Sequence, residues 1–165
     1  MNLKNVLFFE AKHIGKPGMI REFHVKDTTP LLELFDANTP KYFHPEEKED
    51  LKHYLENEVE NYFVYTFENG LVAAGGINYK PEEHTAILSW DIVHPEFQGK
   101  GIGSELVKHR LHFIAQQRIY SRCIVRTSQL VYPFYLKHNF KLISKHPDFW
   151  AKGYDMYYMK LIFES

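Results

Sequence analysis

The amino-acid sequence predicts a mixed α/β domain: one sheet with helices packed beside it. Three observations predict it. A hairpin signal lies mid-chain, where the aromatic and β-branched run Tyr62 to Phe67 is joined by Asn69-Gly70 to Leu71 through Ile77. Strand-like and helix-like runs then alternate through the second half. Finally, 165 residues with 44% hydrophobic and 16% aromatic content and a formal net charge of -1 supply one core and exclude global disorder.

Taken in order, Gly15-Lys16-Pro17-Gly18 separates a leading extension, residues 1–18, from a single domain over 19–165. The extension leaves open a pairing with the sheet or with a second copy in a homodimer. Met19 through Val25 reads as a strand. Thr29-Pro30 starts a short helix ending near Asn38-Thr39-Pro40, with Leu31, Leu34 and Phe35 on one face. Pro45-Glu46-Glu47 opens another helix, its acids at the positive end and Leu51, Tyr54, Leu55 and Val59 as its apolar stripe. After the hairpin, Pro81-Glu82-Glu83 turns into a strand over Thr85 to Val93. Alternation there sets Ile87, Ser89, Asp91 and Val93 on one face and Ala86, Leu88, Trp90 and Ile92 on the other. A glycine-rich turn, a helix from about Gly101 to Arg118, a strand at Cys123 to Thr127 and a helix from about Gln129 to His138 follow. Strands near Phe140 to Ser144 and Tyr154 to Phe163 end the chain.

Balanced charge argues against nucleic-acid partners, which need many phosphates neutralised. No run approaches the ~18 apolar residues of a membrane span. The cluster Val6-Leu7-Phe8-Phe9 is too short for a signal-peptide core, so the chain reads as cytoplasmic with no membrane partner. A single cysteine, Cys123, rules out an intramolecular disulfide, and its neighbours Ile124 and Val125 mark a buried strand. His109 and His112 have helical spacing but no carboxylate joins them, so they read as surface histidines and no metal site is assigned.

The informative stretch is His94-Pro95-Glu96-Phe97-Gln98-Gly99-Lys100-Gly101-Ile102-Gly103-Ser104, between a strand and a helix. Its glycines free backbone amides to converge, and the helix adds unpaired amides and the positive end of its dipole, which together make an anion cradle. A P-loop would need lysine then serine or threonine directly after its last glycine, but Lys100 precedes Gly101. A dinucleotide fingerprint would want an acid ~20 residues on, where only Tyr120, Ser121 and Arg122 stand.

Gln98-x-x-Gly101-x-Gly103 resembles the pyrophosphate signature of the GNAT acyl-CoA N-acyltransferases. Further segments are similar in order and spacing: Ile20 to Leu34, Phe134-Tyr135-Leu136-Lys137-His138-Asn139-Phe140, and Gly153 to Met159. Asn139 replaces the family's glycine, and asparagine also tolerates a left-handed helix end. The resemblance implies a GNAT-type, mostly antiparallel mixed sheet with the fourth and fifth strands splayed. It implies acetyl-CoA in the opening, its pyrophosphate on the amides of Gln98, Gly99, Lys100, Gly101, Ile102, Gly103 and Ser104, and its pantetheine arm on the Val93 backbone. The Lys100 side chain reads as solvated. Ser128 reads as a helix cap, at a position where the family often has an asparagine beside the cofactor. The resemblance further implies an acceptor pocket built from the first two helices and the loop near Tyr79 to His84. The aromatic and acidic composition of that region, with Tyr42, Phe43, Tyr54, Glu46, Glu47 and Glu49, favours a cationic small molecule or a peptide terminus as the amine acceptor.

An amide made from a thioester needs a neutral amine, and an ammonium of pKa ~10.4 is neutral at pH 7 only at a cost of roughly 4.6 kcal/mol. The leaving thiolate, near pKa ~8.5, can take a proton from a phenol near ~10. Tyr135 matches the family's phenol; packing beside Tyr132 and Phe134 is its structural alternative. Asp91, on the polar strand face with Ser89 able to hold a water, is the candidate base, with Glu83, His84 and His94 as loop alternatives. These residues point to acetyl transfer to a primary amine by direct attack in a ternary complex. A non-catalytic acyl-CoA sensor and a nucleotide-binding regulatory domain are the rivals.

Overall fold

Seven strands form one sheet in the order β1-β2-β3-β4-β5-β7-β6 in the computed structural model, which describes residues 18–68 and 70–163. They are β1 (Met19–Glu22), β2 (Asn61–Phe67), β3 (Gly70–Lys80), β4 (Thr85–Val93), β5 (Arg122–Ser128), β6 (Lys141–Ala151) and β7 (Tyr154–Ile162). The helices are α1 (Thr28–Ala37), α2 (Glu47–Asn57), α3 (Ile102–Gln116) and α4 (Tyr132–Leu136). The expected leading extension falls on residues outside the described ones, as does Asn69 of the hairpin turn. No helix among the described residues is long and apolar enough to cross a membrane.

The uninterrupted apolar run of β2 reflects a sheet covered on both faces. Tyr62 and Val64 join Ala74 and Ile92 in a core under α1 and α2, built with Leu31, Phe35 and Leu51. Phe63 and Tyr65 face the other way, into a core with Ala73, Ile77, Ala86, Leu88 and Val125 under Leu106 and Ile114 of α3. The sheet is mixed and mostly antiparallel, as the resemblance implies. Only β4 and β5 run parallel, joined by the α3 crossover that parallel pairing requires.

Two differences from the sequence reading matter for the site. The strand expected over Met19 to Val25 ends at Glu22, and a 3-10 turn at Val25–Asp27 leads into α1. More consequentially, alternation along β4 does not run unbroken. Trp90 takes a left-handed φ of 51°, and the β3–β4 register slips between Ala74 and Gly76. This bulge puts Trp90 in the α1/α2 core after Ser89, which donates to Asn78 Oδ1 (2.8 Å), and it turns Asp91 to the α3 face. Ser89 and Asp91 therefore do not share a face. Beyond Leu88 and Val125, β4 and β5 have no further paired residues, so the two strands splay as expected.

The helix predicted over Gln129 to His138 is only Tyr132–Leu136, because the chain first turns through Ser128 to Val131. Asn139 closes it with a φ of 65°, the left-handed conformation the sequence reading assigned to it. At the sheet's other end, Asp27 accepts from Arg21 at 2.7 and 2.8 Å and from the His24 amide at 2.8 Å. The Arg21 hydrogen bond holds the Asp27 carboxyl below its ordinary value, against the opposing pull of burial. Replacing Asp27 with Asn lowers the unfolding free energy by about 1 kcal/mol, since water screens the partly exposed Arg21. In the parent protein that contribution is complete above the unfolded carboxyl value of 3.8 and disappears as pH falls through the lower folded value, which urea titrations at pH 6 and below pH 3 measure.

Candidate active site

The chain leaves β4 at Val93, makes a 3-10 turn over Pro95–Phe97 and enters α3 through Gly99 and Gly101, whose φ values are 72° and 87°. Residues with a Cβ rarely hold that conformation, so glycine is required twice in three positions. The Glu105 amide bonds the Gly101 carbonyl at 2.9 Å, so the amides of Ile102, Gly103 and Ser104 fall in the first turn, ahead of any intrahelical acceptor. Gly99, Gly101, Gly103 and Ser104 line a cleft of about 820 Å³ that enters the gap between β4 and β5. Ile102 lends only its backbone, its side chain being in the core, and the Lys100 ammonium lies over the Phe97 ring at 5.1 Å rather than over the loop.

Gln98 acts as a bracket. Its Nε2 donates to the Val93 carbonyl (3.0 Å) and to Asn38 Oδ1 (3.3 Å), and its Oε1 accepts from the Tyr42 hydroxyl (2.9 Å). The Val93 carbonyl thus already holds one protein hydrogen bond. The Ser104 hydroxyl pairs with His138 Nε2 at 3.0 Å. Ser128 does not cap α4: the position ahead of that helix is Val131, with no side-chain cap. Instead Ser128 Oγ is buried on the cleft wall without a partner among the described residues. An orphaned hydroxyl, open left-handed glycines and a helix start make a donor set that fits a diphosphate and its amide-bearing arm.

Where the strands part, Asp91 binds two groups. One carboxylate oxygen takes Arg110 Nη1 and the other takes the Tyr135 hydroxyl. Arg110 has no exposed surface; its Nε and Nη1 also donate to the Leu106 carbonyl (3.2 Å) and the Gly76 carbonyl (3.0 Å). Burial pulls its pKa down, but the Asp91 charge and hydrogen bond outweigh burial and leave it raised. Burial, reinforced by the Asp91 charge, pushes the Tyr135 phenol well above its ordinary value, while Arg110 opposes. Tyr135 is therefore protonated at neutral pH, with its hydrogen aimed at a carboxylate.

Sequence reasoning found Asp91 and Tyr135 but missed Arg110, Gly75 and Gly76. The signals were present. Leu106, Arg110 and Ile114 recur at four-residue spacing on the apolar face of α3, and paired glycines inside a strand mark a close approach. A Cβ on Gly75 would sit 2.6 Å from Asp91 Oδ1 and 2.7 Å from Arg110 Cζ. Other candidates lie elsewhere. Glu83 and His84 are in the turn before β4, where the His84 carbonyl accepts from the Ser121 amide (2.9 Å), and His94 accepts from the Glu96 amide (3.2 Å). None of the three lines the cleft, and neither does the Tyr79 to His84 loop expected at the acceptor pocket; Trp150 and Tyr154 of the β6–β7 hairpin do so instead. Of the other acceptor candidates, Tyr42, Phe43, Glu47 and Tyr54 line the cleft and Glu46 and Glu49 do not. His109 packs edge-on against Phe63 at 4.8 Å.

Comparison with known proteins decides the family. The sequence model of the Acetyltransferase (GNAT) family matches residues 28–140, which include the cradle, Asp91, Arg110 and Tyr135. The chain belongs to the GNAT acetyltransferase family. Its fold is similar to the ribosomal-protein-S18-alanine N-acetyltransferase of Escherichia coli, with TM-score 0.75, 14% identity, and 90% of this chain and 96% of that one covered. It is likewise similar to Ard1 of Thermoplasma volcanium, with TM-score 0.72, 21% identity, and coverage of 90% and 99%. An aminoglycoside 6′-N-acetyltransferase crystallised with coenzyme A superposes with TM-score 0.71 at 15% identity, with coverage of 89% and 98%. No curated protein matches the sequence.

For this GNAT protein, changing Gly75 to Ala pushes a methyl group into the Asp91–Arg110 pair. The expected cost is about 2 kcal/mol or more, because neither the buried guanidinium nor the β3 backbone can yield; thermal unfolding measures it.

Proposed function

We propose that this protein is an N-acetyltransferase that moves the acetyl group of acetyl-CoA to a primary amine by direct attack within a ternary complex. Acetyl transfer is the chemistry of its family. The observation that carries the finer reading is the Tyr135 hydroxyl bound to Asp91 in the gap between β4 and β5, beside the amide cradle. The cradle would hold the pyrophosphate, Ser128 Oγ would gain its missing partner from the bound cofactor, and the thioester would lie where the strands part.

The Asp91–Tyr135 hydrogen bond gives the proton a closed route. The attacking nitrogen forms the C–N bond and surrenders its proton to Asp91, and the C–S bond breaks as Tyr135 gives its proton to the departing sulfur. The two proton transfers are coupled, so that as Asp91 is neutralised the Tyr135 oxygen becomes the anion facing Arg110: loss of the Asp91 charge lowers the Tyr135 pKa and the Arg110 charge lowers it further, so arrival of the first proton eases departure of the second. Asp91 then returns its proton to the Tyr135 oxygen. The sum is amine plus acetyl-CoA giving amide plus CoA thiol, with both residues restored. A cytoplasmic setting belongs to the same proposal, as the compartment of the acyl donor.

Thiol release from acetyl-CoA with a panel of primary amines tests the activity; release with none of them overturns it and favours a sensor. Tyr135→Phe is expected to lower kcat about 10²-fold while calorimetry finds CoA affinity unchanged. An unaltered kcat removes Tyr135 from the chemistry.

Direct attack needs no protein nucleophile, and Cys123 is not suited to be one. It has no exposed surface, and burial pushes its thiol up to about 12. Iodoacetamide at pH 7.5 is expected to leave the folded protein unmodified by mass spectrometry and to label Cys123 only in denaturant.

A further inference from the structure

The walls of the cleft differ in charge from one side of the sheet to the other. Its basic residues are Arg110, spent on Asp91, and Arg126 and Lys137, which belong to β5 and the end of α4 on the cofactor side. On the α1/α2 side the charged residues lining it are Glu47 and Glu58. Glu47 sits in the first turn of α2 with Oε2 held by the His44 amide at 2.7 Å, and among the described residues no lysine or arginine pairs with it. Burial raises the Glu47 pKa and the Asp50 charge adds to it, outweighing the His44 amide and ring, which lower it. The Glu58 carboxylate, just past the other end of α2, lies 3.4 Å from the His53 ring and pairs with no lysine or arginine among the described residues.

Aromatic faces lie on the same side. Phe43 and Trp90 stack with centroids 6.2 Å apart, and Tyr54 lies 6.3 Å from Trp90. The bulge that turns Asp91 toward α3 is what directs Trp90 here. A carboxylate and aromatic faces that line the same side of one cleft offer an ammonium two attractions. Overhead, the Tyr154 hydroxyl of the β6–β7 hairpin donates to the Pro40 carbonyl of the α1–α2 loop at 2.6 Å, and His44 packs edge-on against the Tyr154 ring at 5.5 Å. These contacts tie the β6–β7 hairpin to the α1–α2 loop and so narrow the approach for a polypeptide chain.

Building on the acetyl-transfer reading, we infer that the acceptor is a small aliphatic amine carrying a second positive charge. One nitrogen reaches Asp91 while the distant ammonium rests on Glu47 against Phe43 and Trp90, with Glu58 attracting the cation at the entrance. The carboxylate thereby selects dications over monoamines and rejects amines that carry an acid.

The test compares four acceptors by thiol release from acetyl-CoA: a five-carbon α,ω-diamine, the monoamine and the ω-amino acid of equal length, and a short peptide with a free alanine terminus. After correction for its two equivalent nitrogens, the diamine is expected to exceed the monoamine about 10-fold or more in kcat/KM, with the amino acid lower still. Glu47→Gln, which keeps an oxygen for the His44 amide, is expected to bring diamine and monoamine to near parity while CoA affinity and melting temperature hold. A monoamine or peptide that matches the diamine, or a preference that survives Glu47→Gln, overturns the inference and leaves acetyl transfer standing. Absence of turnover with all four amines removes the acetyl-transfer reading along with it.

Discussion

A guanidinium with no access to water has to be neutralised where it lies, and in this protein Asp91 does so for Arg110. Desolvating such a charge costs several kcal/mol unless an opposite charge and further acceptors compensate. The Leu106 and Gly76 carbonyls supply acceptors for Nε and Nη1, while Nη2 has no partner among the described residues, so α3 is fixed to β3 and β4 at one point in the middle of the molecule. Much of the site is arranged around that point. β3 must be glycine at 75 to make room, β4 must bulge at Trp90 to bring its carboxylate round, and Tyr135 must reach across the gap to occupy the second carboxylate oxygen. The ion pair therefore serves stability and site geometry together, and the strain of a left-handed tryptophan is held by the packing of its ring on the α1/α2 core and by the Asp91–Arg110 pair beside it.

The fold was largely legible from the sequence because its signals are local. The hairpin, the positions of α1 and α2, the glycine turn into α3 and the left-handed Asn139 each follow from the conformational preferences of a few adjacent residues, although Thr29 lies inside α1, which starts at Thr28 behind Asp27 with no side-chain cap. What escaped were features that depend on partners distant in sequence. Period-two alternation placed Ser89 and Asp91 together because nothing in Thr85 to Val93 signals a bulge. The residue in left-handed conformation is a tryptophan, and the reason for it lies in Gly75 and Arg110. Ser128 looked like a cap because serine before a helix usually is one, but the helix begins later and the hydroxyl is left facing the cleft.

The candidate site was legible to the same degree. Glycines and the helix start fixed the cradle, and Tyr135 and Asp91 were found singly, without the contact between them or the arginine that joins them. The resemblance places part of the acceptor pocket at the loop Tyr79 to His84, which lies before the paired part of β4. The splayed part of that strand opens at its other end, where the β6–β7 hairpin stands. Direction along a strand settles such a question, and sequence resemblance alone carries little of it.

Gln98 has an implication for anyone re-engineering this scaffold. Its amide spans the end of β4, the buried Asn38 behind α1 and Tyr42 in the loop that follows. Grafting a foreign loop between α1 and α2 would cut two of the three tethers on the residue from which the glycine turn departs. A transplant that retains Asn38 and Tyr42 preserves the footing of that turn, so the two sides of the cleft are not independent modules.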